Sequence, residues 1–282
     1  MTKYVDLHMH TSCSDGLYSA QKLLDIVRTK NLDAFAVTDH DTIEGYRQMS
    51  PLLTGSDPEL VPGVELSVNV DGDDMHMLAY LFDPEHPRLT DALEEFKEKR
   101  STRGFNMVKK LQKLGLQITF EDVLRIADGA VIGRPHIAET LLQMRQVSTM
   151  EEAFRKYIGF DGPGYEAKAS WIPRKAIDLV HEAGGVAVMA HAGIAEMHRH
   201  IPHLAPLGLD GIEVFHYAHS TVMITQLLGL AETYSMIITG GSDFHGRSGR
   251  EVPIGALKVP IDCLENLKRR VESFAGDHGS AH

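Results

Sequence analysis

Histidines and carboxylates recur in this chain at spacings that suit ligands for a divalent metal ion. The N-terminal segment reads Asp6-Leu7-His8-Met9-His10, directly after an apolar run that predicts a strand. Alternate residues of an extended segment point the same way, so Asp6, His8 and His10 are expected to share one face. Two imidazoles one pleat repeat apart can hold a single ion. The same residue types return as Asp39-His40-Asp41, Glu65, His76, His191, and Asp243 with His245 after a Gly240-Gly241-Ser242 turn. Sixteen histidines in 282 residues make the search for ligand spacing worthwhile.

Short apolar runs precede most of these groups. Strands are expected at 4–7, 34–38, 60–64, 75–82, 186–190, 211–215 and 236–239. His40, Glu65, His191 and Asp243 then fall just past the ends of parallel strands, where barrel enzymes place their sites. His76 is the exception, near the start of its strand, and Asp71-Gly72 predicts a hairpin joining it to the Glu65 segment. So many charged groups on one rim would be costly to desolvate without a metal to pair with.

Helices fit between several strands, which gives an α/β fold. Residues 19–30 form one, with Ser19 as N-cap; 173–183 form another, with Pro173 in its first turn and Gly184-Gly185 at its exit. The rhythm breaks at 89–165, which reads as consecutive helices. Leu93, Phe96, Met107, Leu111 and Leu114 predict a long amphipathic helix ending at Gly115. Thr119 with Asp122 and Ser148 with Glu151 read as capping boxes, and Pro135 opens a further helix. The expected organisation is a barrel from 1–88 and 166–282 with 89–165 inserted as a cap over its mouth.

The set Asp6-x-His8-x-His10, Thr38-Asp39-His40-Asp41, Gly63-Val64-Glu65, Ala190-His191 and Gly241-Ser242-Asp243-Phe244-His245 resembles the polymerase and histidinol phosphatase (PHP) family. Within it, Ser14-Asp15-Gly16, Gly133-Arg134-Pro135-His136 and Gly164-Tyr165 look most like the TrpH-like phosphoesterases. The resemblance implies a distorted (β/α)7 barrel with a helical insertion, and phosphate-ester hydrolysis on two to three divalent ions. It further implies one ion on His8, His10, Glu65 and Asp243. A second shares Glu65 and adds His76 and His191; a third takes Asp15, His40 and His245. Asp243, His191 and Glu65 carry the catalytic roles. His191 is followed by Ala192-Gly193 where relatives often have Pro-Gly, so the loop after it is expected to sit differently.

Mixed imidazole and carboxylate ligands suit Mn²⁺ first, with Zn²⁺ or Fe²⁺ as alternatives. Such ions polarise phosphoryl oxygens and acidify water, so no Ser or Cys nucleophile is required, and Cys13 reads as a bystander. A phosphate also needs fixed cations. Arg134, Lys168 and His219 are the candidates in loops over the mouth, with His136 in the first turn of its helix. His216 reads as a solvated loop imidazole, and His198, His200 and His203 as a solvated cluster.

The net charge of −11 provides no global field for long duplex nucleic acid, but leaves a small anionic nucleotide or a short oligonucleotide open. Two cysteines, no leader ahead of Tyr4 and no long apolar run point to the cytoplasm and away from a membrane. The expected substrate is a nucleoside 3′,5′-bisphosphate. A 5′→3′ exonuclease on short RNA, a histidinol-phosphatase-type enzyme and a C–N or C–O hydrolase compete with it. A metal-binding module without activity is the reading outside enzymes.

Overall fold

The computed structural model describes residues 3–247 and 252–278, with the backbone alone for 275–278. Eight strands form one sheet: β1 (Tyr4–Asp6), β2 (Ala34–Val37), β3 (Glu59–Val70), β4 (Asp73–Tyr80), β5 (Val186–Met189), β6 (Gly211–Phe215), β7 (Ile237–Gly240) and β8 (Val259–Pro260). Their order is β7-β6-β5-β4-β3-β2-β1-β8. The chain beyond β1 closes the ring against β7 and the segment after it. Leu7 N–H donates to Gly240 O (3.1 Å), Asp243 N–H to His8 O (2.8 Å) and His10 N–H to Phe244 O (2.9 Å). The result is a seven-stranded α/β barrel with β8 antiparallel to β1 at its foot.

The distortion has a local cause. β3 and β4 are antiparallel, joined by a tight turn in which Asp71 (φ 52°) and Gly72 (φ 97°) both take left-handed backbone. This is the expected hairpin, and it reverses β4, so the start of that strand lies at the mouth and brings His76 there. β3 runs well past the expected end at Val64, because Leu66, Val68 and Val70 continue its apolar alternation while Glu65 and Ser67 are buried on the other face.

The helices are α1 (Ala20–Val27), α2 (Glu44–Met49), α3 (Pro87–Lys113), α4 (Phe120–Ala127), α5 (Arg134–Gln143), α6 (Met150–Ala153), α7 (Pro173–Glu182), α8 (Ile201–Leu204), α9 (Thr221–Thr233) and α10 (Asp262–His278). Ser19 caps α1 by accepting Lys22 N–H at 3.3 Å, and the Thr119–Asp122 capping box opens α4. The cap of α6 lies one residue further than expected: Thr149, not Ser148, accepts the N–H of Glu152, whose carboxylate takes the Ser148 N–H instead.

Val5, Leu7, Leu78, Tyr80, Val186 and Val188 fill the barrel, and Cys263, Leu264 and Leu267 of α10 cover its foot. Helix α3 changes partners along its length. Leu89 and Leu93 pack with the barrel, and Phe96 stacks on Trp171 (5.0 Å between ring centroids). Met107, Val108 and Leu111 pack with α4, α5 and α6 in a separate core. That core rests on the mouth, where Val131 N–H donates to Cys13 O (3.1 Å).

Candidate metal centre

His8 and His10 leave β1 in extended backbone and are almost wholly buried at the mouth. Asp6, expected beside them, serves the loops instead: its carboxylate accepts Ser242 N–H and Gly255 N–H, each at 2.8 Å. Asp39 and Asp41 behave alike. Asp39 accepts from Thr11 N–H (2.8 Å), Thr11 Oγ1 (2.6 Å) and Ser14 Oγ (2.6 Å), which fixes the loop that carries Asp15. Asp41 accepts from Ser67 N–H (2.8 Å) and Oγ (2.7 Å), leaving His40 between them to reach the cluster.

Glu65 stands at the centre. Its Oε2 lies 3.4 Å from His8 Nε2, 3.3 Å from His10 Nε2 and 3.2 Å from His40 Nδ1. Its Oε1 lies 3.0 Å from His76 Nδ1 and 3.1 Å from His191 Nε2. Asp243 Oδ1 lies 3.3 Å from His8 Nε2 and 3.2 Å from His10 Nε2, and His245 Nε2 lies 3.3 Å from Asp15 Oδ1. Asp41, His191 and Asp243 all take left-handed backbone (φ 52°, 29° and 51°), strain of the sort that gathers at functional loops.

Burial alone would raise the carboxyls of Glu65, Asp15 and Asp243. The surrounding imidazoles overcome it and hold all three well below the usual range. Burial pushes His40 down, whereas Glu213 and Asp243 overcome burial at His8 and push it up.

The donor set fits divalent cations on one observation above all. His8 Nε2, both nitrogens of His10, His40 Nδ1, Asp15 Oδ1 and Glu65 Oε2 are buried without a hydrogen-bond partner, and they gather in one place. Orphaned polar atoms are costly unless something satisfies them. Three groups have ligand atoms within 4.8 Å of one another: His8, His10 and Asp243; His40, Glu65 and His76; His10, Asp15, His40 and His245. Eight of the nine expected ligands fall in these groups, His10 and His40 in two each; His191 joins through Glu65, its Nε2 3.1 Å from Oε1.

The sequence does not single out Glu213, and it reads His216 as solvated. Glu213 of β6 accepts from His8 Nδ1 (2.9 Å) and from His191 N–H (2.7 Å), fixing two expected ligands at once. Its signal was a carboxylate inside an apolar strand. His216 is not solvated: it is buried, its Nδ1 accepts Ala218 N–H (3.2 Å), and its Nε2 lies 3.3 Å from Asp243 Oδ2.

The expected phosphate cations divide. His219 is buried: Nδ1–H donates to Val214 O (2.9 Å) and Nε2 accepts Gly193 N–H (3.0 Å). Both nitrogens are committed, burial keeps the ring neutral, and it clamps the loop after His191. His136 spends Nδ1 on the Gly133 N–H (3.1 Å), and burial lowers its pKa. Lys168 Nζ is already 3.1 Å from both Asp74 Oδ1 and His76 Nε2. Arg134 makes no hydrogen bond or ion pair among the described residues; its guanidinium lies over Phe160, 4.7 Å from the ring centroid.

Arg134 has company that the sequence concealed. Arg100 and Arg103, which read as the polar side of a long helix, are buried. With Arg134 and Lys168 they bound a cavity of about 190 Å³, which opens on Asp15, His40 and His76. Burial, with Arg134 and Arg100 nearby, pushes Arg103 down to about 10. Two of the four cations already face carboxylates: Arg100 Nε lies 3.4 Å from Asp41 Oδ2, and Lys168 lies against Asp74, which also lines the cavity. The cluster at His198, His200 and His203 is partly structural: His200 Nε2 lies 2.7 Å from Asp73 Oδ2, and Gln226 Nε2 lies 2.9 Å from His198 Nε2.

A barrel that gathers imidazoles and carboxylates able to hold divalent ions at its mouth is the frame of a metal-dependent phosphoesterase. The PHP domain profile matches residues 6–163, and the chain belongs to that family. It is 32% identical over 247 residues to the 5′-3′ exoribonuclease Rnm of Salmonella typhimurium, covering 85% of this chain and 84% of that one. It is 30% identical over 256 residues to a 3′,5′-nucleoside bisphosphate phosphatase of Chromobacterium violaceum, covering 88% and 90%. A solved structure from Bifidobacterium adolescentis, described as a candidate metal-dependent phosphoesterase, superposes with a TM-score of 0.86 at 29% identity over 95% of this chain and 96% of that one.

Proposed function

We propose that this phosphoesterase removes a phosphate from nucleoside 3′,5′-bisphosphates. The observation that carries the reading is the cationic cavity beside the ligand cluster: the site has room for two phosphates, one to react and one to anchor. His8, His10, Glu65 and Asp243 would hold one ion; Glu65, His76 and His191 a second, with His40 adjoining; Asp15, His40 and His245 a third. Bound there, divalent ions (Mn²⁺ by preference, with Zn²⁺ or Fe²⁺ as substitutes) would supply charge neutralisation at the phosphoryl oxygens and a lowered pKa for water. Asp243, His191 and Glu65 are the residues whose loss the chemistry tolerates least.

The chain's own groups do the rest. Glu213 keeps His8 in one tautomer, and His216 orients Asp243. Arg100, Arg103 and Arg134 take the second phosphate, with Lys168 as a paired point charge at the edge. The helices from α3 to α6 close over the nucleoside and exclude water. His136 Nε2 supplies a further contact at the start of α5.

The Salmonella relative favours a second reading, exonucleolytic trimming of short RNA from its 5′ end, in which the anchored phosphate is the 5′-terminal one. No helix among the described residues is long and apolar enough to cross a membrane. The two free cysteines suit a reducing cytoplasm. Comparing kcat/KM for a 3′,5′-bisphosphate, a 5′-monophosphate, short 5′-phosphorylated RNA and histidinol phosphate tests the reading. The bisphosphate is expected to exceed the monophosphate and histidinol phosphate; preference for histidinol phosphate contradicts it.

A further inference from the structure

A wider cavity of about 670 Å³ lies beside the cationic one, between the Ser12–Leu17 loop and helices α4, α5 and α6. Its size is that of a small-molecule subsite. The two cavities share Asp15, Pro135 and Phe154, so one molecule can occupy both.

Their chemistry is opposite. The wide cavity has apolar walls from Leu17, Ile126, Pro135, Met150 and Phe154. Its charged lining is mainly carboxylate: Asp15, Asp128, Glu139 and Glu151, against Arg247, which donates from Nη2 to Asp15 O at 2.7 Å. A phosphate is repelled there. A flat, neutral group that carries N–H donors is favoured, and in a nucleotide that group is the base. Helix α5 serves both cavities: Arg134 at its first position faces the narrow one, and Glu139 lines the wide one. Glu139 is half-buried, and its Oε1 accepts from Gln143 Nε2 at 3.0 Å, leaving Oε2 available.

We infer that the wide cavity is a base subsite and that Glu139 gives it a preference for guanine. Guanine presents two adjacent donors, N1–H and N2–H, to one carboxylate. Adenine and cytosine place an acceptor beside their amino group, and uracil flanks its single N–H with two acceptors. The inference rests on the nucleotide reading above and names its base specificity.

The test measures binding of GMP, AMP, CMP and UMP to the Mn²⁺-loaded protein by calorimetry, with kcat and KM for the four 3′,5′-bisphosphates. GMP is expected to bind about tenfold tighter than UMP, within the range for one bidentate base contact. The difference should fall in KM, not in kcat. Glu139→Gln replaces an acceptor with a donor and should move the preference from guanine toward adenine and cytosine at unchanged metal content; Glu139→Ala should level the four. Equal affinities in the wild type, or a Glu139→Gln variant that weakens all four alike, overturn the proposal. Absence of turnover on every bisphosphate is a separate result: it removes the nucleotide reading, and this subsite with it.

Discussion

His8 Nδ1 lies 2.9 Å from Glu213 Oε1, and the second oxygen of the same carboxylate takes the N–H of His191. One buried glutamate on β6 thus fixes two expected ligands, His8 just past β1 and His191 in the loop after β5. A carboxylate behind a ligating imidazole sets its tautomer and raises its basicity, and loss of such a partner costs about 10–100-fold in metal affinity. Glu213→Gln should weaken metal binding within that range, measured by competition with a chromogenic chelator. Unchanged affinity would place Glu213 outside the metal centre's support.

His219 distinguishes a structural clamp from a substrate contact. His219→Ala removes the acceptor of the half-buried Gly193 N–H, at a cost toward the low end of the ~1–3 kcal/mol for a buried donor left unpaired. The melting temperature should fall while the rate advantage of a bisphosphate over a monophosphate persists. A lost advantage at unchanged stability would restore His219 as a phosphate ligand.

Proton competition gives the metal uptake a pH dependence of known sign. Burial would lower His245, but the carboxylates of Asp15 and Asp243 raise it to about 9 in the apoprotein. Below that value the ring holds a proton which a cation must displace, so apparent affinity should rise with pH and level off near 9. Proton release measured by calorimetry in buffers of differing ionisation enthalpy checks this. Metal binding that strengthens as the pH falls would reverse the assignment.

Cys13 adjoins the site in sequence but is poorly suited to react. Burial, then Asp39, pushes its thiol up to about 11, and Cys263 is pushed up to about 12 by burial and Asp262. Thiolates, not thiols, react. Both should resist a disulfide reagent at neutral pH in native protein and react promptly on unfolding; rapid modification of the native form with loss of activity would contradict this.

The strands were legible because apolar runs mark them and polar residues at their ends stand out; the ligand set, Asp15 above all, came from the family resemblance. Asp71-Gly72 even announced the hairpin that reverses β4. Other features depend on partners distant in sequence. Nothing local distinguishes Asp6 and Asp39, which brace loops, from His8 and His40, which reach the cluster. Arg100 and Arg103 look like any charged side of a helix until α3 is laid over the mouth. His216 and His219 fall in a turn that reads as exposed, and only the packing of that turn against the loop after His191 buries them.

A second phosphate is expected to rest on the arginines beside the metal cluster, and Arg134→Ala should remove that anchor. The measurement is the ratio of kcat/KM for adenosine 3′,5′-bisphosphate to that for adenosine 3′-monophosphate, in wild type and variant, with bound metal quantified in both. The wild type should show a clear advantage for the bisphosphate. The variant should lose most of it, by the ~2–5 kcal/mol typical of removing a buried charge partner, with metal content intact. An unchanged ratio in the variant, or a fall in metal content with the ratio preserved, would contradict the account.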